Sequence, residues 1–549
     1  MKKNIVKLLA ITLATTSLVS LASCKAEKVS NDDNMLEVYA WDAGYGVGFV
    51  EPMLKEFGEQ SWVKEKYPNF RYHISSNDTQ SYSKTRIEMG SANTIDLFFG
   101  SSVETLIGSD FLVDLTEPVY NQKVPGEEVL YKDKVRSDIL EKIGWKVNKK
   151  DKTEAPKYYT VPWCMGSGIV AYNETLFDEL GLEVPLTTDQ MFTLMQEVKD
   201  MEGKNSAYPY TYSLISSKVS YSHYMFDIWW AQYEGVDGIE DFYNAIDYDG
   251  IRNSPEVIKQ TGRLEMLKVM EKLYKESSGY YDRSSSNYEF VAGQTRLLAG
   301  QGLIMFNGDW FSCEMAQLAN EYRDRGIAYD IRTMRTPVIS ALVNKTPSIK
   351  AVATAQGKTN DEVLAEVIKE VDAGKTESEI EGITQKDFNT VMAARGVITS
   401  LAASHSIVVP SYATAKNLAV DFVRFVATNK ANEIYAKETF GGRMAFNWNL
   451  QSDAPELYDE LAKNHLFKVQ ADIWEYYNEV QTSVIPDPAN FDFAYYGGFG
   501  AKVGMDSYEE TFKSKPNATA EDLLNGMYNY WTANDNARWN LALQQAGMA

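Results

Sequence analysis

Cysteine is scarce in this sequence, with three residues in 549. Cys24 belongs to the N-terminal segment described below, which leaves Cys164 and Cys313. So few thiols exclude a disulfide scaffold, and no C-x-x-C pair or histidine-rich spacing predicts a zinc site. Cys164 and Cys313 are expected either to be buried as apolar side chains or to form one disulfide. We expect no metal and no cofactor.

Basic clusters and familiar catalytic motifs are also lacking. The formal net charge is −22, and no run of Lys and Arg offers the positive surface that a phosphate backbone requires, so no nucleic-acid partner is expected. The acidity indicates solubility. Four histidines occur, without a G-x-S-x-G elbow or an H-E-x-x-H motif. Acidic residues are abundant, but none has a recognisable catalytic setting, so the sequence does not predict an enzyme.

Long apolar runs are absent except near the N-terminus, at Leu8–Leu21. This run of about 14 residues is shorter than the roughly 20 that span a bilayer. Basic residues precede it and small residues follow, which is typical of a secretory signal. The Leu-Ala-Ser-Cys sequence that ends at Cys24 resembles the lipobox of bacterial lipoproteins. The resemblance implies cleavage before Cys24 and a diacylglycerol thioether on its thiol.

Residues 1–23 are therefore expected to be a lipoprotein signal peptide, and the polar, aperiodic residues 24–34 a tether. Two acyl chains, each contributing roughly 0.8 kcal/mol per buried CH2, give a durable anchor. This resemblance implies an extracellular protein, lipid-anchored to the outer face of a bacterial cytoplasmic membrane. An ordinary secreted protein is the alternative.

Aromatic residues, by contrast, are plentiful: 34 Tyr, 11 Trp and 23 Phe make up 12% of the chain. Tyr and Trp combine a large apolar ring with a polar edge. These properties suit a cleft that holds sugars, whose C–H faces stack on rings while their hydroxyls need hydrogen bonds. A tyrosine-rich core and surface is the alternative explanation for most of these rings.

Strands and helices alternate from the end of the tether. Met35–Trp41 predicts a strand, and a glycine-containing loop, Asp42–Gly48, leads to a helix with Pro52 in its first turn. Phe70–Ser75 and Thr94–Phe99 predict further strands. The loop lacks the spacing of a dinucleotide motif or a P-loop. The pattern predicts an α/β fold in which this loop lies at the carboxyl edge of a sheet, where such folds bind ligands.

Short segments of apolar, glycine and aromatic residues continue along the chain, at Ile95–Gly100, Phe111–Leu115, Val161–Asn173, Gly181–Pro185, Leu297–Trp310, Met334–Val338, Ile407–Pro410, Leu418–Phe425 and Gly441–Arg443. No single segment is diagnostic. Their order, together with the lipobox, resembles the extracellular solute-binding proteins of bacterial ABC importers, in the carbohydrate-binding family that includes maltose-binding protein. The resemblance covers nearly the whole chain after the tether.

This resemblance implies a two-lobed, periplasmic-binding-protein-like α/β fold, whose discontinuous lobes are joined by a hinge. Chain crossings are expected near Trp163, Thr336 and Gly442. The implied lobes are 35–162 with 336–442, and 163–335 with 443–549. The implied function is capture of a sugar or oligosaccharide between the lobes and delivery to the transmembrane subunits of an ABC permease. A monomer is expected.

The sequence departs from the family pattern at residues 344–404, which predict an insertion with two extra helices. Thr359 and Glu362 have the spacing of a capping box, and so do Thr376 and Glu379. The residues that follow each box are apolar at helical spacing. We expect a surface insertion in the first lobe, with a partner-binding surface as the alternative.

Ligand-binding side chains are expected where rings stand beside short polar groups, at strand ends and crossings. Carboxylates and amides pair with hydroxyls, and charge strengthens such bonds. At least one of Trp229 and Trp230 is expected to lie in the core, because successive residues of a helix point about 100° apart, and the sequence does not decide which one. The candidates are Trp41, Asp42, Tyr45, Asp78, Ser102, Trp163, Trp230, Asn307, Asp309, Trp310 and Arg443, with the tract Phe491–Tyr496 as an additional one.

Two other functions fit parts of the sequence. A binding lipoprotein for a peptide or a polyamine would need several carboxylates framed by aromatic faces, and the acidic candidates leave this open. A surface glycosidase would need two carboxyl groups roughly 5–10 Å apart across a sugar bond. The sequence favours the sugar-binding function over both.

Overall fold

The computed structural model describes residues 34–147, 153–201, 206–217, 221–327, 329–402, 404–479, 483–485 and 505–548. The predicted signal peptide, Cys24, residues 25–33 of the tether and the tract Phe491–Tyr496 lie outside the described residues. The strands described are β1 (Met35–Trp41), β2 (Arg71–Asn77), β3 (Leu97–Ser101), β4 (Val161–Pro162), β5 (Gly168–Asn173), β6 (Leu214–Ile215), β7 (Ile304–Gly308), β8 (Ile331–Met334), β9 (Val397–Ile398), β10 (His405–Val408) and β11 (Ser483–Val484).

The first sheet has the strand order β2-β1-β3-β10-β4. β1 pairs in parallel with β2 and β3, whereas β10 is antiparallel to β3 and β4. Every residue of β3 is buried, as in strands that are covered on both faces. The strand predicted at Met35–Trp41 is confirmed, and the next two predicted strands are found as β2 and β3.

The second sheet has the strand order β6-β7-β5-β8. β5 is antiparallel to both of its neighbours, and β6 is parallel to β7. A separate parallel pair, β9 and β11, completes the strand pairing of the described residues. We call the units built on the first and second sheets the first and second lobes.

Helices surround both sheets. The α-helices described are Val50–Glu59, Ser61–Lys66, Tyr82–Glu88, Tyr131–Lys134, Ser137–Ile143, Glu174–Leu180, Thr188–Asp200, Ser222–Glu234, Val236–Tyr243, Thr261–Tyr274, Phe290–Leu298, Phe311–Asp324, Pro347–Gln356, Asn360–Asp372, Gln385–Arg395, Lys416–Val426, Asn429–Glu438, Leu450–Asp453, Pro455–Leu461, Lys468–Glu479, Met505–Ser514 and Ala520–Gln545. The last is interrupted at residues 533–536 by non-helical backbone. None of these helices has both the length and the apolar character that a membrane span needs.

Shorter helical turns connect these elements. The 3-10 helices described are Gly90–Ala92, Glu104–Leu106, Pro255–Lys259, Arg283–Asn287, Ser340–Lys345, Glu377–Glu379 and His465–Phe467, and Thr116–Tyr120 is a π-helix.

Each lobe has its own hydrophobic core. In the first core, Phe57 of the first helix meets Phe422 and Phe425 of the helix Lys416–Val426 at centroid distances of 5.3 and 5.7 Å. These two helices are far apart in sequence, so the first lobe is assembled from discontinuous segments. The second core joins the helices around the second sheet with the C-terminal helix.

The insertion packs on the second lobe. Leu364 and Val391, from two of its helices, are fully buried in the second core. Polar contacts agree, because Lys345 Nζ donates to the backbone oxygen of Tyr233 at 2.7 Å and Thr187 Oγ1 donates to Asp361 at 2.7 Å. This differs from the predicted placement in the first lobe. The apolar stripes of these helices are buried against the helices that precede β8, rather than against the first sheet.

This packing also moves one chain crossing. β4 lies in the first sheet and β5 in the second, so the chain passes between the sheets after β4. The next return to the first sheet comes at β10, after the insertion, rather than near Thr336. The remaining domain limits stay predictions.

The two predicted capping boxes behave differently. Both hydrogen bonds of the Thr359–Glu362 box form, and the helix Asn360–Asp372 follows. The Thr376–Glu379 box also forms but starts only one 3-10 turn. Gly382, with a φ of +80°, separates this turn from the helix Gln385–Arg395, which Thr384 caps. The positive φ, which glycine adopts readily, ends one helical turn before the next begins.

Candidate functional site between the two lobes

Trp310 lies directly after β7, where the second lobe meets the first core. Three tyrosine rings, from Tyr45, Tyr221 and Tyr224, stand edge-on to its indole at centroid distances of 6.3, 5.9 and 6.2 Å. Tyr45 comes from the loop after β1, so the contact joins the two lobes. A Cβ on Gly308 would lie 2.2 Å from the Trp310 ring, so this position requires glycine.

Asp309 forms a second link between the lobes and is buried. The Tyr45 hydroxyl donates a hydrogen bond to Asp309 Oδ1. Gln470 Nε2 donates to the Asp309 backbone oxygen at 2.6 Å. Burial raises the pKa of the Asp309 carboxyl, and the charge of Arg443 opposes this effect. Asp309 Oδ2 has no hydrogen-bond partner among the described residues, so it can accept one from a water or a hydroxyl.

Glu314 makes a third link. It lies in the first turn of the helix Phe311–Asp324 and accepts a hydrogen bond from the backbone N–H of Gly44 in the first lobe. Gln294 Nε2 donates to Glu314 Oε2 at 2.5 Å. Burial raises the pKa of the Glu314 carboxyl to about 7, while the two hydrogen bonds act in the opposite direction.

Asn307 is buried beside this link. Its side-chain oxygen accepts hydrogen bonds from the Gly308 N–H at 2.7 Å and from Gln294 Nε2 at 3.5 Å. Asn307 therefore orients Gln294 and the end of β7.

Four other candidates lie at the carboxyl edge of the first sheet. Trp41 and Ser102 are partly buried, and Asp42 and Asp78 are exposed. Trp41 Nε1 donates to the Asp78 backbone oxygen at 3.1 Å. Ser102 has a φ of +57°, a conformation that is uncommon for a residue with a side chain, and its N–H donates to the Ser404 backbone oxygen. The first strands of the sheet therefore present two accessible carboxylates beside an indole.

Trp163 lies beneath this edge, within the first core. It is 1% exposed, stacks on Phe49 at 5.6 Å and donates from Nε1 to the Gly100 backbone oxygen at 3.2 Å. His405 fills the space between Trp163 and Trp41, at 5.4 and 4.9 Å. Burial lowers the pKa of His405 to about 4, so its ring is neutral at pH 7. Trp163 supports the edge from below.

The structure does not bring Trp230 to this site. Both Trp229 and Trp230 lie in the second core. Trp230 Nε1 donates to Gln260 at 2.9 Å, and Phe242 is perpendicular to its ring at 4.8 Å. Trp229 Nε1 donates to the Pro337 backbone oxygen at 3.0 Å. Both indoles are therefore part of the second core, and neither contributes to the site.

Arg443 is buried, with its guanidinium 5.5 Å from the centre of the Trp474 ring. Its backbone oxygen accepts from the Met165 N–H at 2.7 Å. Arg443 therefore lies near Asp309 and supplies its nearest opposing charge.

Cys164 and Cys313 are both free, so the disulfide alternative does not apply in this structure. Burial raises the pKa of each thiol. Both therefore stay protonated at neutral pH, which is the unreactive form of a thiol.

Sequence reasoning missed several residues of this site, among them Tyr221, Tyr224, Gln294 and Glu314. The two tyrosines stack on each other at 6.0 Å with an angle of 7° between the rings. A signal for them existed, since they begin the same aromatic segment as the two tryptophans. Glu314 and Gln294 follow no sequence signal, because their importance arises only from the contact between lobes.

Both lobes contribute aromatic rings and carboxylate acceptors to this arrangement, and the second lobe contributes amide groups as well. Within the described residues, no group of histidine, cysteine, aspartate and glutamate side chains could hold a metal ion. The groups present suit recognition of a ligand that combines apolar faces with hydroxyls.

Comparisons with known proteins give structural matches only. No family model and no curated protein matches the chain. The structure of RafE of Streptococcus pneumoniae in complex with raffinose matches with a TM-score of 0.51 and 14% identity, over 91% of this chain and 100% of that chain.

Two further matches concern other bacteria. The ABC substrate-binding protein Lmo0181 of Listeria monocytogenes, in complex with cycloalternan, matches with a TM-score of 0.52 and 13% identity, over 94% of this chain and 99% of that chain. The GacH receptor of Streptomyces glaucescens, solved unliganded and with acarbose, matches with a TM-score of 0.50 and 11% identity, over 91% of this chain and 97% of that chain. The chain therefore has the two-lobed fold of these binding proteins, as predicted.

Proposed function

We propose that this protein is the sugar-binding subunit of an ABC importer, which captures a saccharide between its two lobes and delivers it to a membrane permease without altering it. The observation that carries this proposal is the convergence, between the lobes, of Trp310, three tyrosine rings and buried hydrogen-bonding groups. Raffinose and cycloalternan, the ligands named for two structures of the same fold, are saccharides.

The chemistry of the site supports a sugar. An indole face contacts the C–H surface of a pyranose, while carboxylates and amides bind its hydroxyls. The proposed ligand site comprises the edge of the first sheet at Trp41, Asp42, Asp78 and Ser102, and the opposite wall at Trp310 and Tyr221. A ligand that contacts both walls favours the closed arrangement by the difference between its affinities for the closed and open states.

The test is a thermal-shift screen of the ligand-free protein against raffinose, maltose, maltotriose and spermidine. A ligand that binds the native state stabilises it by mass action, by about 2.7 kcal/mol at a ligand concentration 100 times Kd. This stabilisation raises the melting temperature. Titration calorimetry of each hit then gives its Kd. We expect at least one saccharide to stabilise the protein, and spermidine to have no effect.

Asp42→Ala provides the site-directed version of this test. Asp42 is exposed, so its removal leaves the fold intact, and we expect saccharide affinity to fall at least tenfold, or about 1.4 kcal/mol. Asp249→Ala is the matched control, because Asp249 is an exposed aspartate in the loop after Val236–Tyr243. Stabilisation by spermidine alone, or equal saccharide affinity in both variants, contradicts the proposal.

The lipid anchor is part of the same proposal. The lipobox sequence that ends at Cys24 supports attachment of acyl chains to that thiol, and two chains would hold the protein at the outer face of the cytoplasmic membrane. Cells expressing the full chain should incorporate labelled palmitate into the protein, whereas Cys24→Ser should not. Equal labelling in the two strains contradicts the anchor and leaves the binding function untouched.

A further inference from the structure

A cavity of about 60 Å³ lies at the edge of the second sheet from which Trp310 follows. β5 begins at Gly168, which pairs with Gly308 at the end of β7, and Met334 at the end of β8 pairs with Val170 of β5. The end of β7, the start of β5 and the end of β8 therefore meet at one edge. The cavity lies there between β5, β8 and β9, on the side of β5 away from β7.

Most of the side chains that line the cavity are apolar, and all of these except Ile398 are buried. They are Ile169, Ile228, Met334, Val397, Ile398 and Ile473. The space has room for about four water-sized groups. Water finds few hydrogen-bond partners against such a lining, so an apolar group is the better occupant.

The polar side of the cavity is formed mainly by Arg335 and Arg395. Both guanidinium groups are bound by one carboxylate, because Arg335 Nη1 donates to Asp372 Oδ1 at 2.8 Å and Arg395 Nη2 donates to Asp372 Oδ2 at 2.7 Å. Arg395 Nη1 also donates to the backbone oxygen of Thr336 at 3.5 Å. Since both arginines are held by Asp372, this side closes the cavity without requiring an anionic group from a ligand.

The cavity adjoins the aromatic wall of the candidate site. Ser167 lines it, and the Ser167 backbone oxygen accepts a hydrogen bond from the Asp309 N–H at 3.0 Å. Gly168 also lines it, is partly exposed, and has space for a Cβ only 2.3 Å from the Cβ of Tyr224. The Tyr224 ring is in turn 6.2 Å from that of Trp310. One aromatic residue therefore separates the proposed sugar site from the cavity.

Resting on the proposed function, we propose that this cavity is a subsite for a short apolar substituent of the bound saccharide, an alkyl or acyl group of about four carbon atoms. The sugar ring contacts Trp310, and the substituent passes Tyr224 into the cavity. Each methylene group that leaves water for the cavity tightens binding about fourfold. The protein should therefore bind a substituted saccharide more tightly than the same saccharide without the apolar group.

The test compares methyl and butyl β-maltoside, which share one sugar and differ by three methylene groups. Titration calorimetry measures the Kd of each. We expect the Kd of the butyl compound to be at least tenfold lower, because three fully buried methylene groups at about fourfold each allow up to about 60-fold.

Variants at one lining position change the cavity in opposite directions. Val397→Phe fills it and should abolish the difference between the two maltosides. Val397→Ala enlarges it and should preserve the difference. Ile473→Phe repeats the filling from the helix Lys468–Glu479, so the test does not depend on one variant. A melting curve for each variant confirms that it folds.

Isobutanol probes the cavity without a sugar. Saturation-transfer NMR on the ligand-free protein should show contact with its methyl groups, and this transfer should disappear in Val397→Phe and persist in Val397→Ala. Absence of transfer in the unmodified protein, or equal transfer in Val397→Phe and Ile473→Phe, overturns the inference.

The inference and the proposed function fail in different ways. Binding of both maltosides with the same Kd overturns the inference and leaves the function standing. Isobutanol transfer that the filling variants remove, without binding of any saccharide, supports the cavity as an apolar site and refutes the function. Where another saccharide binds and neither maltoside does, the isobutanol result decides the inference.

Discussion

At the scale of single residues, the Tyr45 hydroxyl makes a hydrogen bond that joins the two lobes. It donates to a buried carboxylate, and its removal by Tyr45→Phe leaves Asp309 Oδ1 without that donor. We expect the free energy of unfolding to fall by about 1–3 kcal/mol, the cost of a buried polar group that loses its partner. Urea denaturation measures this difference.

Tyr435→Phe is the control for that prediction. Tyr435 is buried nearby, with its ring 5.9 Å from that of Tyr45, but its hydroxyl has no hydrogen-bond partner among the described residues. Removal of this hydroxyl should leave stability unchanged or raise it slightly. Equal losses in the two variants would show that burial of the ring, rather than the hydrogen bond, stabilises the contact.

Gly308 provides a second residue-scale prediction. A methyl group there would overlap the Trp310 indole, so Gly308→Ala must displace the ring or the strand end, at a cost of about 1–3 kcal/mol. Gly526→Ala is the reverse case, since Gly526 lies exposed inside a helix with no atom near its Cβ position, and alanine should add about 1 kcal/mol. Denaturant midpoints of the two variants should move in opposite directions.

At the scale of elements, the two capping boxes of the insertion provide a comparison within one chain. Thr359 caps a helix of 13 residues, whereas Thr376 caps a 3-10 turn of three. Thr359→Ala should destabilise the protein by about 0.5–2 kcal/mol. Thr376→Ala should cost less, because fewer residues depend on its turn. Hydrogen exchange of Asn360–Asp372 should accelerate in the first variant alone; equal acceleration in both contradicts the distinction.

At the scale of the whole molecule, the insertion is a structural part of the second lobe. Leu364→Ala creates a cavity in the shared core and should cost about 2–5 kcal/mol. Hydrogen exchange should rise in Ser222–Glu234 as well as in the insertion. Leu541→Ala, at a leucine that is 54% exposed, is the control and should change stability little. A response confined to the insertion would mark it as an independent unit.

Local patterns predicted much of this architecture. The alternation in Met35–Trp41 and the capping signal at Thr359 depend on nearest neighbours, and each produced its element. The placement of the insertion did not follow from sequence, because an amphipathic helix shows that it has an apolar face but not which partner covers it. The second capping box was misleading for a similar reason, since Gly382 interrupts the helix that it would start.

The residues of the candidate site were also predicted only in part. Tyr45 meets Asp309 and Trp310, which lie more than 260 residues further along the chain, because the strands that precede them both end at the contact between the lobes. The sequence did not show which of Trp229 and Trp230 faces the core, and the structure places both in the second core. Burial raises the pKa of the Glu314 carboxyl, and this burial depends on tertiary packing that no local pattern contains.

The unpaired state of Cys164 and Cys313 has a practical consequence. A fold without a covalent cross-link between its cysteines needs no thiol oxidase or isomerase to mature. The part of the chain that follows the tether should therefore reach the same conformation in a reducing cytosol as at the cell surface, and large-scale preparation does not require export.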